Sequence, residues 1–111
     1  MLDNSNRVLS YMRDVKRRDF EQDEKLQLAV TRLLEIIGEA AANLSQEFRE
    51  EHSTIPWGQI IGMRNRLIHA YFHVDLEVVW NTTQTAVPSL VQQITAIVTK
   101  MDEKQADDSN D

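Results

Sequence analysis

Apolar residues recur every three or four positions along most of the chain and almost nowhere in strict alternation, so the pattern predicts helices and no sheet. Val8, Leu9, Met12 and Val15 place a short first helix at about residues 6–16. A longer second helix carries Leu26, Ala29, Val30, Leu33, Ile37, Ala40, Ala41 and Leu44, and it opens among the acids of residues 19–23, which suit a helix N-terminus. Leu28, Leu34 and Ile36 widen its apolar arc, so this central helix is expected to pack on more than one neighbour, with a partner subunit one candidate. Residues 45–54 are polar, with room for one short helical turn, and a third helix opens at or near Pro56. A fourth begins near Asp75, with Leu76, Val79, Trp80, Val87, Leu90, Val91, Ile94, Ile97, Val98 and Met101 as its stripe. Pro88 falls inside that stripe and has to kink or split it, and the unbroken register predicts two roughly collinear pieces. Short connections between such segments predict an all-α fold, an up-and-down helical bundle of four to five helices.

Composition narrows this picture. At 111 residues and 41% hydrophobic content the chain fits one domain, residues 1–101, with a single core. The absence of cysteine excludes disulfides and thiolate zinc sites and is compatible with a cytoplasmic location. No apolar run reaches the roughly 18 residues of a membrane span, and no signal-peptide pattern is visible, so the chain reads as soluble and unexported. The formal net charge of −6 is unevenly spread. Residues 102–111 hold five acids against Lys104, a net of −4, which leaves the rest near −2. That segment is almost free of apolar residues, and its composition predicts a disordered tail. Local basic clusters at Arg13, Lys16, Arg17 and Arg18, and at Arg64 and Arg66, mean that overall acidity does not exclude a nucleic-acid partner.

The third helix carries the candidate chemistry, in the stretch IPWGQIIGMRNRLIHAYF of residues 55–72. At about 100° per residue, Trp57, Ile60, Ile61, Ile68 and Tyr71 share a face with Arg64 in its middle. The adjoining face holds Gly58, Gly62, Asn65 and His69, and two glycines four apart would let another backbone approach closely. A guanidinium within an apolar stripe carries a desolvation cost that demands a partner. Arg64 and His69 diverge by about 140° on a straight helix. Their convergence requires either that the helix end near His69 or that a second copy, related by a two-fold axis at this helix, supply the other half.

Arg64-Asn65-Arg66-Leu67-Ile68-His69-Ala70-Tyr71 resembles the Arg-x4-His-x-Tyr motif of the HepT-like branch of the HEPN superfamily, the toxin half of HepT/MntA toxin–antitoxin pairs. The resemblance extends to LLEIIGEAA (residues 33–41) and VDLEVVW (residues 74–80), and it spans roughly residues 20–98. The first helix looks shorter than that family's, and the acidic tail has no counterpart role there. The resemblance implies a HEPN-like helical homodimer whose paired motifs line a cleft, able to assemble further with its antitoxin. It also implies a metal-independent endoribonuclease without a cofactor, the toxin of a type VII-like pair. In that reading His69 is general base or acid toward the ribose 2′-hydroxyl and the leaving 5′-oxygen. Arg64 holds the scissile phosphate. Asn65, one turn before His69, orients it. Tyr71 matches the tyrosine that a cognate MntA-like nucleotidyltransferase antitoxin modifies with AMP.

Each residue also has a structural reading. Arg64 fits a core arginine paired with Glu35 or Glu39, and His69 a hydrogen-bonded core histidine. Tyr71 fits a packing residue, and Arg66 a solvated face. Trp57 and Trp80 read as core or interface anchors, and Asp75 and Asp23 as helix starts. His52 and His73 show no metal-ligand spacing with His69. The alternative at the level of function is a non-catalytic HEPN module that binds nucleotide or partners a nucleotidyltransferase.

Overall fold

A computed structural model describes the backbone of residues 1–69 and 75–109, and side chains through residue 104. It contains seven helices among these residues: α1 (Leu2–Tyr11), α2 (Arg17–Gln22), α3 (Glu24–Ala42), α4 (Gln46–Glu51), α5 (Trp57–Ile68), α6 (Leu76–Gln84) and α7 (Ala86–Ser109). The expected all-α bundle is present, with more pieces than the four to five anticipated. The first helix sits earlier than its apolar spacing suggested. α1 stops at Tyr11, and Asp14 takes a left-handed conformation (φ 60°) that a short polar side chain tolerates. Lys16 then opens α2, a separate helix whose Phe20 is fully buried and packs on Trp80 with ring centroids 5.7 Å apart. The acids read as one helix start at residues 19–23 are therefore divided. Asp19 lies in the first turn of α2, whereas Asp23 caps α3 by accepting from the Leu26 amide at 3.0 Å.

α3 is the hub, packing on α1, α2, α5 and α6, as its wide apolar arc requires. Val30, Thr31, Leu33, Leu34, Ile37, Gly38 and Ala41 are its buried positions, while Leu28 stays exposed. Ser45 caps α4 by accepting from the Phe48 amide, and Pro56 precedes α5 at its N-cap. The α4–α5 connection is pinned twice. Trp57 Nε1 donates to the His52 carbonyl at 3.1 Å, and Thr54 Oγ1 bonds Gln93 Oε1 on α7 at 2.7 Å.

The stripe at residues 76–101 is split, one turn upstream of Pro88. The break is at Thr85 (φ −121°, ψ −70°), and Pro88 lies inside the first turn of α7. A proline lacks the amide that would bond the carbonyl four residues back, here that of Gln84, and its ring crowds that carbonyl. The distortion therefore falls before the proline. Thr82, Thr83 and Thr85 donate their hydroxyls to the carbonyls of Val78, Trp80 and Asn81, back-bonding that bends helices at the same place.

The helix of α7 continues past Met101 to Ser109, into the acidic segment. A nucleated helix adds residues at little cost, and Glu, Lys, Gln and Ala at positions 103–106 are strong helix formers. Among the described residues no helix is long and apolar enough to cross a membrane.

Candidate active site

α5 buries Trp57, Ile60, Met63 and Leu67 against the core. This stripe is rotated from the one expected, which had Arg64 at its centre with Ile61, Ile68 and Tyr71 beside it. Ile68 is 44% exposed and Ile61 half-buried, because Met63 and Leu67 take the core direction. Arg64 consequently sits at the border of the α3–α5 contact, half-buried.

Gly38 on α3 faces that border. A methyl group there would overlap the Cβ of Arg64, lie 2.8 Å from its Cγ and lie 3.3 Å from the Ile60 carbonyl oxygen. The absence of a side chain at residue 38 is what admits the Arg64 stem between the two helices. By contrast, a Cβ at Gly58 or Gly62 would meet nothing within 4 Å, so the close approach these two were expected to allow does not occur within the chain.

The Arg64 guanidinium is not neutralised by a neighbour. Among the described residues it has no carboxylate within salt-bridge distance, and Glu35, one of the two acids considered for it, pairs with Arg32 at 3.2 Å. Arg64 Nη1 donates to Asn65 Oδ1 at 2.6 Å, while Nε is buried and among the described residues has no hydrogen-bond partner. A buried donor on a permanent charge, with none of its protein partners acidic, is the condition expected of a group that awaits an anion. The arrangement differs from that of a satisfied core arginine. The carbonyl oxygen of Asn65 is thus engaged by Arg64, a contact its one-turn spacing from His69 did not announce.

α5 ends at Ile68, and His69 is its C-cap (φ −94°, ψ 1°), exposed to solvent. The helix thus ends where convergence of Arg64 and His69 within one chain would need it to end. Tyr71 lies outside the described residues.

Arg66 is not merely solvated. Its Nη2 lies 3.0 Å from Asp75 Oδ2, while Asp75 Oδ1 accepts from the Val78 amide at 3.2 Å and caps α6. One carboxylate therefore starts α6 and holds the end of α5, fixing the two anchors on either side of residues 67–74. The sequence shows Asp75 only as a helix start, and nothing in its spacing announces the second contact. Gly38 did leave a trace, since a glycine inside a long apolar helix is unfavourable by about 1 kcal/mol relative to alanine unless a close contact requires it.

The chain is similar to known proteins. The sequence model of the HepT-like family, described as "Ribonuclease HepT-like", matches residues 1–97. The chain is 43% identical over 93 residues to "Putative RNase TTE0752" of Caldanaerobacter subterraneus subsp. tengcongensis, covering 84% of this chain and 83% of that protein. It is 48% identical over 83 residues to "Probable ribonuclease HepT" of Thermococcus cleftensis, covering 75% of this chain and 76% of that one. No solved structure matches it.

Proposed function

The chain belongs to the HepT-like ribonuclease family, and from that premise we propose that it is a toxin-type endoribonuclease that cuts RNA through Arg64 and His69. The observation that carries this reading is Arg64 itself, a half-buried guanidinium that among the described residues has an unpartnered Nε and no acid beside it, with Asn65 holding one of its nitrogens. It binds the scissile phosphate and stabilises the charge that grows on it in the transition state. His69 removes the proton from the ribose 2′-hydroxyl as its oxygen attacks phosphorus, or delivers a proton to the departing 5′-oxygen. Two histidines, one from each protomer of a homodimer, divide these roles. The products are a 2′,3′-cyclic phosphate and a 5′-hydroxyl, formed without a metal ion.

The activity is restrained by a cognate nucleotidyltransferase antitoxin. The Tyr71 hydroxyl attacks the α-phosphorus of ATP, loses its proton and releases pyrophosphate, and the resulting AMP adduct places an anion where RNA must bind. Tyr71→Phe is expected to keep cleavage and lose modification, and AMP incorporation into that variant would exclude Tyr71 as the acceptor.

The deciding experiment is cleavage of cellular RNA by the unmodified protein in excess EDTA, beside Arg64→Ala and His69→Ala. Cleavage that survives EDTA, leaves cyclic phosphate ends and disappears in both variants supports the reading. A wild type that cuts nothing, with Tyr71 unmodified by mass spectrometry, makes the chain a non-catalytic binding module. A monomeric mass at micromolar concentration by light scattering would count against the shared cleft.

A further inference from the structure

α5 and α6 flank an open groove of about 300 Å³ that the chemistry above does not use. Its floor is Met63, Val78 and Thr82, all at least partly buried, and its rims carry the exposed carboxamides of Gln59 and Asn81. Arg66 closes the end at which α5 gives way to His69, held there by Asp75. Among the described residues neither Gln59 nor Asn81 spends its amide on a protein hydrogen bond. Arg66 gives one nitrogen to Asp75 and is otherwise exposed, its side chain 67% accessible.

Gly62 lies on the α5 wall and supplies an independent argument. A helix-interior glycine costs about 1 kcal/mol relative to alanine. At Gly38 that cost secures a helix–helix contact, whereas at Gly62 a Cβ would meet nothing within 4 Å. Among the described residues no contact accounts for the missing side chain. The open backbone there leaves room for something outside the chain to lie against α5.

Resting on the ribonuclease reading, we infer that this groove is a nucleotide subsite, which receives a base of the single-stranded RNA adjoining the scissile phosphate. The pairing of an apolar floor with rim carboxamides suits an unstacked base. Its face lies on Met63 and Val78, and its edge bonds Gln59 and Asn81, side chains that donate and accept at once as base edges do. The free donors of Arg66 meet the phosphate on the side toward His69. Gly62 lets the sugar approach the helix. His69, the C-cap of α5, follows Arg66 by three residues, about 4–5 Å along the axis, whereas Arg64 lies about 160° round the helix from Arg66, so a strand in the groove reaches the cutting site by crossing the C-terminal end of α5 at His69. A second copy of the chain is the competing occupant, and the polar rims disfavour it.

The test uses the full-length His69→Ala protein as a non-cutting parent and a fluorescein-labelled single-stranded RNA oligonucleotide of mixed sequence, read by anisotropy. Two variants are built on it, Gln59→Ala/Asn81→Ala and Gly62→Leu, at positions that are exposed or open, with circular dichroism to verify folding. Each should weaken binding tenfold or more. In the double variant the salt dependence should stay that of the parent, because carboxamides neutralise no phosphate. Parent-like affinity in both variants, in a parent that does bind RNA, overturns the subsite and leaves the ribonuclease reading standing. A change of mass from dimer to monomer in Gly62→Leu, with RNA affinity intact, overturns it in favour of a contact between copies. A parent that binds no RNA, together with a wild type that cuts none, removes the ribonuclease reading and the subsite with it.

Discussion

Replacing Gly38 by alanine would ordinarily help a helix, and in this protein it should do the opposite. The added methyl overlaps the Cβ of Arg64, comes within 2.8 Å of its Cγ and 3.3 Å of the Ile60 carbonyl, whereas ordinary contact begins at 3.4 Å. Neither the Cβ of Arg64 nor a backbone oxygen can swing aside as the tip of a flexible side chain could. α3 and α5 must therefore part by more than the 0.6 Å that separates 2.8 from 3.4 Å. Overpacking of this kind costs about 1–3 kcal/mol, and the upper end applies where backbone-near atoms collide. The better helix propensity of alanine offsets about 1 kcal/mol. The net expectation is a loss of about 1–2 kcal/mol, and for a domain of this size each kcal/mol lowers Tm by roughly 4–8 °C. The same substitution at Gly62, where the new Cβ meets nothing, should raise stability by about 0.5–1 kcal/mol. Urea denaturation of the two variants side by side isolates the α3–α5 contact from propensity. RNA cleavage by Gly38→Ala at a temperature where it remains folded should also fall, since the methyl displaces the stem of Arg64. A Gly38→Ala protein as stable as Gly62→Ala and fully active would refute the close packing on which this reasoning depends.

Two further outcomes follow from the site. Asn65→Ala removes the acceptor of the 2.6 Å bond that fixes the Arg64 guanidinium, and Asn65 is exposed. Stability should change by less than about 0.5 kcal/mol, while single-turnover cleavage should slow about tenfold, equivalent to roughly 1.4 kcal/mol of transition-state stabilisation. An unchanged rate would mean that Asn65 does not position Arg64. Asp75→Ala loses both the α6 cap and the ion pair, and denaturation should show a loss of about 1–2 kcal/mol, mostly from the cap. Asp75→Asn keeps the cap and should lose little, and Arg66→Ala should cost under about 1 kcal/mol because the pair is largely exposed. Equal losses in Arg66→Ala and Asp75→Ala would show instead that the ion pair dominates.

The helical class, the hub role of α3, and the starts of α3, α4, α5 and α6 could be read from the chain, because they rest on local signals. Apolar spacing, capping Asp23, Ser45 and Asp75, and Pro56 before Trp57 each act within one or two turns. Arg64 and His69 were likewise legible, in the Arg-x4-His-x-Tyr spacing. The missed features depend on tertiary context. Nothing in the periodicity separates α1 from α2, since the left-handed Asp14 is one of several residues that could make the turn. The 100° rule gave α5 a face but could not choose between Met63–Leu67 and Ile61–Ile68 as the buried side, a choice made by α3. Arg64 paired with neither of the acids that spacing offered. The second contact of Asp75 and the groove between α5 and α6 exist only because α6 returns along α5.

The helical state of the acidic segment has a consequence for how the protein meets a polyanion. A flexible anionic tail would sample the surface around Arg64 at an effective concentration of about millimolar, as a tethered competitor for RNA. Carried on α7 as far as Ser109, residues 102–109 instead extend along a rod at about 1.5 Å per residue, and they cannot fold back upon the site while that rod holds. Competition becomes conditional on melting the last turns of α7, which urea, heat or a partner that captures the unwound chain would accomplish.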